Sequence, residues 1–225
     1  MARKLPSKIA SQLYAAAELI AERGLEATRM DDISEATGIP KATLYYHLEG
    51  KNAVLEFLLA DLLDLIGGAV AVAASGGGTA SERLRAAISA QISVMLEHPH
   101  LCQALVGDLG RATRLPDLAL ALEAAFLSPI QHLLEQGVSD GSLRPVDDPA
   151  TAASSIFGAV TMTGLSVTAS GHRVRAASDA ASLSEWVYRL LAEGVVTNPG
   201  VDAGSIASRH LGSTSPDPGT AAPPP

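Results

Sequence analysis

Apolar residues recur every three or four positions along almost the whole chain, and no stretch alternates apolar with polar residues as a half-buried strand would. At that spacing successive apolar side chains stand on one face of a helix, so each segment has a stripe to bury and the chain is expected to be all-α. The first stripe, Ile9, Leu13, Ala16, Ala17 and Ile20, predicts a helix over Ser7–Arg23 with Gly24 as its stop. Thr28 with Asp31 three residues later has the form of a capping box and opens a second helix that reaches Thr37 and stops at Gly38. Pro40 suits the first turn of a third, running to about Leu48, because proline's missing N–H is no loss there.

A long fourth helix begins near Lys51, with Val54, Leu55, Leu58, Leu59, Leu62 and Ile66 on its stripe, and ends in the loop Ser75–Gly78. Thr79 and Ser81-Glu82 open a fifth that runs to His98, and Pro99 closes it or turns the chain into a short sixth. Pro116 starts a seventh that extends to about Gln136; the eighth runs from Pro149 to about Ala169, and the ninth from Ser182, boxed with Glu185, to Glu193. From Pro199 the chain is rich in Pro, Gly, Ser, Thr and Ala, the composition of a disordered tail. The organisation expected is a three-helix domain over residues 1–50, a helical body over 51–198 joined to it through the long fourth helix, and a tail over 199–225, with about nine helices in all.

Composition narrows the class. Of 225 residues 47% are apolar, enough for a substantial core, yet only 4% are aromatic, so that core must consist mainly of Leu, Ala, Val and Ile. The single cysteine, Cys102, excludes an internal disulfide framework and any multi-cysteine zinc site, and fits a reducing cytoplasm. The first residues do not read as a secretory signal, and the apolar run Leu62–Ala74 holds Asp64 and the Gly67-Gly68 pair and is shorter than a membrane span; a soluble, cytoplasmic protein is expected. The net charge of −8 lies wholly beyond residue 52, since residues 1–52 hold seven basic and seven acidic groups. A polyanion would therefore meet the N-terminal end first.

That end carries the motif. From Met30 to Glu49 the chain reads Met-Asp-Asp-Ile-Ser-Glu-Ala-Thr-Gly-Ile-Pro-Lys-Ala-Thr-Leu-Tyr-Tyr-His-Leu-Glu. A helix-turn-helix needs a small residue where its helices cross, a glycine in the turn and apolar inward faces; Ser34, Gly38, and Ile33, Ile39 and Leu44 supply them. An ordinary helical hairpin would share these, but the outward residues Lys41, Thr43, Tyr46 and His47 bring a cation and hydrogen-bonding groups. The run Gly38–Lys51 closely resembles the signature of the TetR family, in which a Gly-Val-Ser-Lys-type turn leads into Thr-Leu-Tyr-Tyr-His-Phe and ends in a Lys; Ala16–Gly24 and Thr28…Asp32-Ile33 are similar to that family as well. The likeness is dense over residues 7–60.

The resemblance implies that Lys41, Thr43 and Tyr46 face base edges in the major groove. It implies that Tyr45, His47 and Lys51 hold phosphates, joined by Thr28 or Arg29 from the start of the second helix. For Tyr45, packing beneath the domain is an equal alternative, and for Lys51 a plain surface charge is another. Three positions depart from the family pattern: Arg29 for Ser or Thr, Ser34 for Ala, and Leu48 for Phe; the first puts the cap of the second helix in doubt, and the others look like packing changes.

In the body the resemblance implies a homodimer through the helices near 149–169 and 182–194, and a ligand cavity walled by Met95, Cys102, Leu105, Phe126, Phe157 and Met162, each of which is also an ordinary core residue. The function expected is a DNA-binding transcriptional regulator, a repressor released from a palindromic double-stranded operator by a small-molecule effector; the alternative is a helical small-molecule carrier or scaffold that does not bind DNA. His98-Pro99-His100 with Cys102 offers imidazole and thiolate, but a helix break with exposed histidines explains the same residues and no metal is assigned. No cofactor, membrane contact or catalytic motif is expected: Gly-x-Ser-x-Gly and His-Glu-x-x-His are missing, and Ser75–Gly78 lacks the Gly-Lys-Ser/Thr of a phosphate cradle.

Overall fold

The computed structural model describes residues 5–107, 116–169 and 176–195, all helix, turn or loop with no strand among them. The tail expected over 199–225 lies outside the described residues. The helices are α1 (Ser7–Leu13), α2 (Ala15–Arg23), α3 (Met30–Thr37), α4 (Lys41–His47), α5 (Lys51–Ala74), α6 (Ala80–Glu97), α7 (Pro99–Gly107), α8 (Pro116–Leu122), α9 (Ser128–Ser139), α10 (Pro149–Ala169) and α11 (Ala176–Val195). Tyr14 keeps helical dihedrals between α1 and α2, so the predicted first helix is continuous apart from one tightened turn. A π-turn, Glu123–Leu127, joins α8 to α9, making the predicted seventh helix one bulged rod. The nine predicted helices are thus present among the described residues.

Some predicted boundaries and caps are wrong. The start of α3 is capped at Arg29, not Thr28: the Arg29 N–H donates to Asp32 Oδ2 at 2.9 Å, while Thr28 is buried and its hydroxyl donates to Gly24 O at 2.7 Å. The last helix begins at Ala176, so Ser182 and Glu185 are interior rather than a capping box, and Glu185 instead pairs with Arg85 at 3.4 Å. By contrast α6 opens at Thr79 as predicted, on a capping box: Thr79 N–H reaches Glu82 Oε2 at 2.8 Å and Glu82 N–H reaches Thr79 Oγ1 at 3.3 Å. Asp140 adds a cap from the far end of α9, accepting from Ala80 N–H at 2.7 Å.

α5 is the spine. Val54, Leu55, Leu58, Leu59, Leu62, Leu63, Ile66 and Val70 are buried along it, chiefly against α6 and the π-turn, each contributing about 1.5–3 kcal/mol relative to exposure. At 24 residues it is long and apolar enough to cross a membrane, as is Pro149–Thr168, so shortness is not what separates α5 from a membrane span. Eight of its apolar side chains are buried against the rest of the chain, and Asp61 and Asp64 lie along it. Gly67 lets α5 approach the π-turn closely, since a Cβ there would sit 3.1 Å from Ala125 Cβ. The N-terminal helices rest on this spine and on α7. Tyr14 donates to Asp61 Oδ2 while its ring lies tilted against that of His98, the residue between α6 and α7, with centroids 6.2 Å apart.

Candidate nucleic-acid interface and ligand site

The turn between α3 and α4 is held by short-range bonds that the sequence allows and Gly38 permits. Gly38 stands at φ 66°, a left-handed backbone that a β-carbon would strain. Ser34 Oγ donates to Ile39 O at 2.7 Å, and Ile39 N–H donates to Thr37 Oγ1 at 3.3 Å. Ser34 is therefore more than a packing change, because its hydroxyl ties the first helix of the motif to the turn. From the neighbouring helix, Gln12 Nε2 reaches Thr37 O at 3.4 Å. Ile33, Ile39, Leu44 and Leu48 are buried beneath, which fixes the opposite side of α4 outward.

That outward side is where sequence reasoning set the DNA contacts. Lys41 is exposed, Thr43 and His47 are half-buried, Tyr45 is 52% exposed and Tyr46 70% exposed, with the Tyr46 and His47 rings edge to face at 4.9 Å. The exposure of Tyr45 removes the alternative of a core tyrosine. Arg29 is exposed beside α3, whereas buried Thr28 has no side-chain surface to offer a phosphate, so of that pair only Arg29 is available. Lys51 donates to Glu26 O at 2.9 Å and so pins the loop before α3 to the start of α5; it is half-buried rather than a plain surface charge. Asp31 was missed: its carboxylate holds Lys41 Nζ at 2.6 Å, and this hydrogen bond raises the lysine pKa above its usual value. The pairing was legible only in space, since the two residues lie on different helices.

In the body, Met95, Cys102 and Phe126 are buried, and Phe157 is packed against the core with its ring 5.3 Å from that of Phe126. Cys102 Sγ lies 3.9 Å from Met95 O, and burial pushes its thiol up to about 12, so it is an inert core residue at neutral pH. Met162 does not join this set: it is 60% exposed, on the outward side of α10. Leu105 belongs to α7 by its backbone, but its side chain lies outside the described residues. Among the described residues no group of three or more His, Cys, Asp or Glu could hold a metal, and His98 is engaged by Tyr14.

A helix-turn-helix head carried on a helical spine and body is the architecture of a DNA-binding regulator. Residues 13–58 match the family model for bacterial regulatory proteins of the tetR family, and residues 77–165 match that for the tetracyclin repressor-like C-terminal domain. The chain belongs to the TetR family, whose members are transcriptional regulators and not enzymes. It is 32% identical over 154 residues to the HTH-type transcriptional repressor KstR2 of Mycolicibacterium smegmatis, spanning 64% of this chain and 74% of that protein. Its fold is similar to that of the transcriptional regulator FadR from Bacillus subtilis, solved in complex with stearoyl-CoA (TM-score 0.67, 23% identity, 82% of this chain and 98% of that one). It is similar also to AibR, solved with isovaleryl coenzyme A and operator DNA (TM-score 0.64, 23% identity, 81% and 97%). At these identities the two structures share the fold.

Proposed function

We propose that the chain acts in the cytoplasm as a two-fold homodimer that occupies a palindromic operator, represses transcription there, and leaves it when an acyl-CoA thioester enters the helical body. One observation carries the DNA part: α4 buries Leu44 and turns Lys41, Tyr45 and Tyr46 outward, a cation and two phenols on a helix narrow enough for a major groove. In this reading Lys41, Thr43 and Tyr46 meet base edges, and Tyr45, His47, Arg29 and Lys51 meet phosphates.

Dimerisation is supported by the outward side of α10 and α11. Ser154, Ser155 and Met162 are exposed on one, with open space around Gly158, and Trp186 (59% exposed) and Leu190 (58%) on the other. Small residues beside large apolar ones allow close helix approach, and a second copy would cover this surface while doubling the bases contacted. The effector class is supported by the likeness in fold to FadR and AibR. An effector releases DNA only by binding the operator-incompetent state more tightly, so operator and effector must weaken each other reciprocally.

The test is selection of genomic fragments by the purified protein at two salt concentrations, with the Lys41→Ala/Tyr46→Ala double variant as control. A palindrome enriched by the wild type and lost by the folded variant establishes operator recognition by α4. Identical enrichment, or none, overturns recognition by α4 and leaves a helical carrier.

A further inference from the structure

Gln91 sits along α6 with no exposed surface, in a body whose buried side chains are mostly apolar. Its Nε2 donates to Thr161 Oγ1 of α10 at 3.1 Å, but its Oε1 is buried with no hydrogen-bond partner among the described residues. A buried amide oxygen left unpaired is destabilising, so a chain that keeps one in its core has either a partner still to arrive or a reason to bear the penalty.

The surroundings suggest a partner. One turn beyond Gln91 on α6 lies Met95, whose thioether end occupies the space that a side chain at Gly164 would fill: a Cβ there would stand 2.6 Å from Met95 Cε. Methionine has three soft torsions and can move aside, and Gly164, one turn beyond Thr161, leaves it room. One turn before Thr161, Phe157 meets Phe126 at 5.3 Å. Phe126 in turn stands in the π-turn Glu123–Leu127, an interruption of the helical ladder of the kind often found at functional sites. The lone acceptor thus lies within a turn of Met95 along α6, and its partner Thr161 lies within a turn of Phe157, whose neighbour Phe126 belongs to an element that packs on the spine α5.

We infer that Gln91, oriented by Thr161, is the polar anchor of the effector site and accepts a hydrogen bond from a hydroxyl on the effector's acyl portion, while Met95, Phe126 and Phe157 take its apolar part. The effector class is then a hydroxylated acyl thioester rather than a plain one. This rests on the reading above that an acyl-CoA enters the body. Hydrogen-bonded sites discriminate strongly against analogues that leave the buried group unpaired, so the hydroxyl would set specificity as well as affinity.

The test uses the full-length protein and the operator fragment recovered above. Release of the fragment is titrated with isovaleryl-CoA, decanoyl-CoA, stearoyl-CoA, 3-hydroxydecanoyl-CoA and 3-oxodecanoyl-CoA, for the wild type and for Gln91→Leu, with Thr161→Val as a second variant. Expected is release by 3-hydroxydecanoyl-CoA at roughly tenfold lower concentration than decanoyl-CoA, a preference that vanishes in Gln91→Leu while operator affinity stays unchanged. Gln91→Leu should melt no lower than wild type without effector, since it removes an unpaired carbonyl. Equal titrations for wild type and variant overturn the role of Gln91 and leave the acyl-CoA reading standing. A lower melting temperature with an unchanged preference means that the oxygen serves a structural water, which overturns it too. Preference for the 3-oxo compound overturns the donor assignment. If no thioester releases the wild type, the effector class itself fails, and this inference with it.

Discussion

Lys41 and Asp31 show how one contact can restrain recognition before DNA arrives. The 2.6 Å pair joins α4 to α3, and both partners are exposed, so a phosphate or a guanine edge can compete for the ammonium. Asp31→Asn should free the lysine and reduce repulsion of the polyanion. Binding to random duplex DNA is expected to strengthen a few-fold and to become steeper in salt, measured by fluorescence anisotropy across an ionic-strength series. Loss of binding instead would mean that Asp31 orients Lys41 for the groove. Lys41→Ala, if the side chain reads a base, should weaken operator binding by about 1–3 kcal/mol and relax preference at one position of each half-site.

Helix ends and the π-turn belong to the next scale. Glu82 is held below the usual carboxyl range chiefly by the Thr79 N–H, and Asp140 and Asp148 chiefly by the hydroxyls of Ser142 and Thr151, each with N–H bonds at a helix start beside them. A depressed carboxylate contributes stability that is present above the unfolded pKa of about 4 and is lost as pH falls through the folded value. The melting temperature should therefore hold near neutrality and fall below about pH 4, with Glu82→Gln showing a shallower fall; scanning calorimetry from pH 3 to 7 reads both. Gly67 marks a different sensitivity. A methyl there presses on Ala125 in the π-turn, so Gly67→Ala should destabilise by about 1–3 kcal/mol and change effector response more than operator affinity. Denaturant unfolding and operator release measure the two. Wild-type behaviour in both would show that α5 can shift from the π-turn without consequence.

For the whole molecule, the proposed seam on α10 and α11 would govern how the head meets DNA. A single α4 touches few bases, whereas two on a common axis read both halves of a palindrome. Trp186→Glu with Leu190→Glu places charge on the proposed seam, and the expected result is a folded monomer in sedimentation that binds operator at least a hundredfold more weakly. A dimer that survives would move the seam elsewhere. The proposed seam would also account for the apolar character of Pro149–Thr168, since a helix covered on one side by its own chain and on the other by a second copy has little need of a polar face.

What the sequence determined by itself is everything encoded within a few residues. The three-to-four spacing made the chain helical, glycine and proline cut it at nearly the right places, and Gly38 with Ile33, Ile39 and Leu44 defined the motif, because turn chemistry and the buried side of a short helix are local properties. Tertiary structure decided which side of a helix apolar all round faces inward. Met162 and Thr161 are neighbours in sequence, yet one is exposed and the other buried against Gln91. It also decided partners that no spacing links: Asp31 with Lys41, Asp140 with the start of α6 sixty residues before it, and Tyr14 with Asp61 and His98. Thr28 illustrates the same division, since its residue type suited a cap and a phosphate while packing buried it. Local propensity is summed along the chain, but burial is set by whichever element arrives from far away, and a helix's own sequence does not specify it.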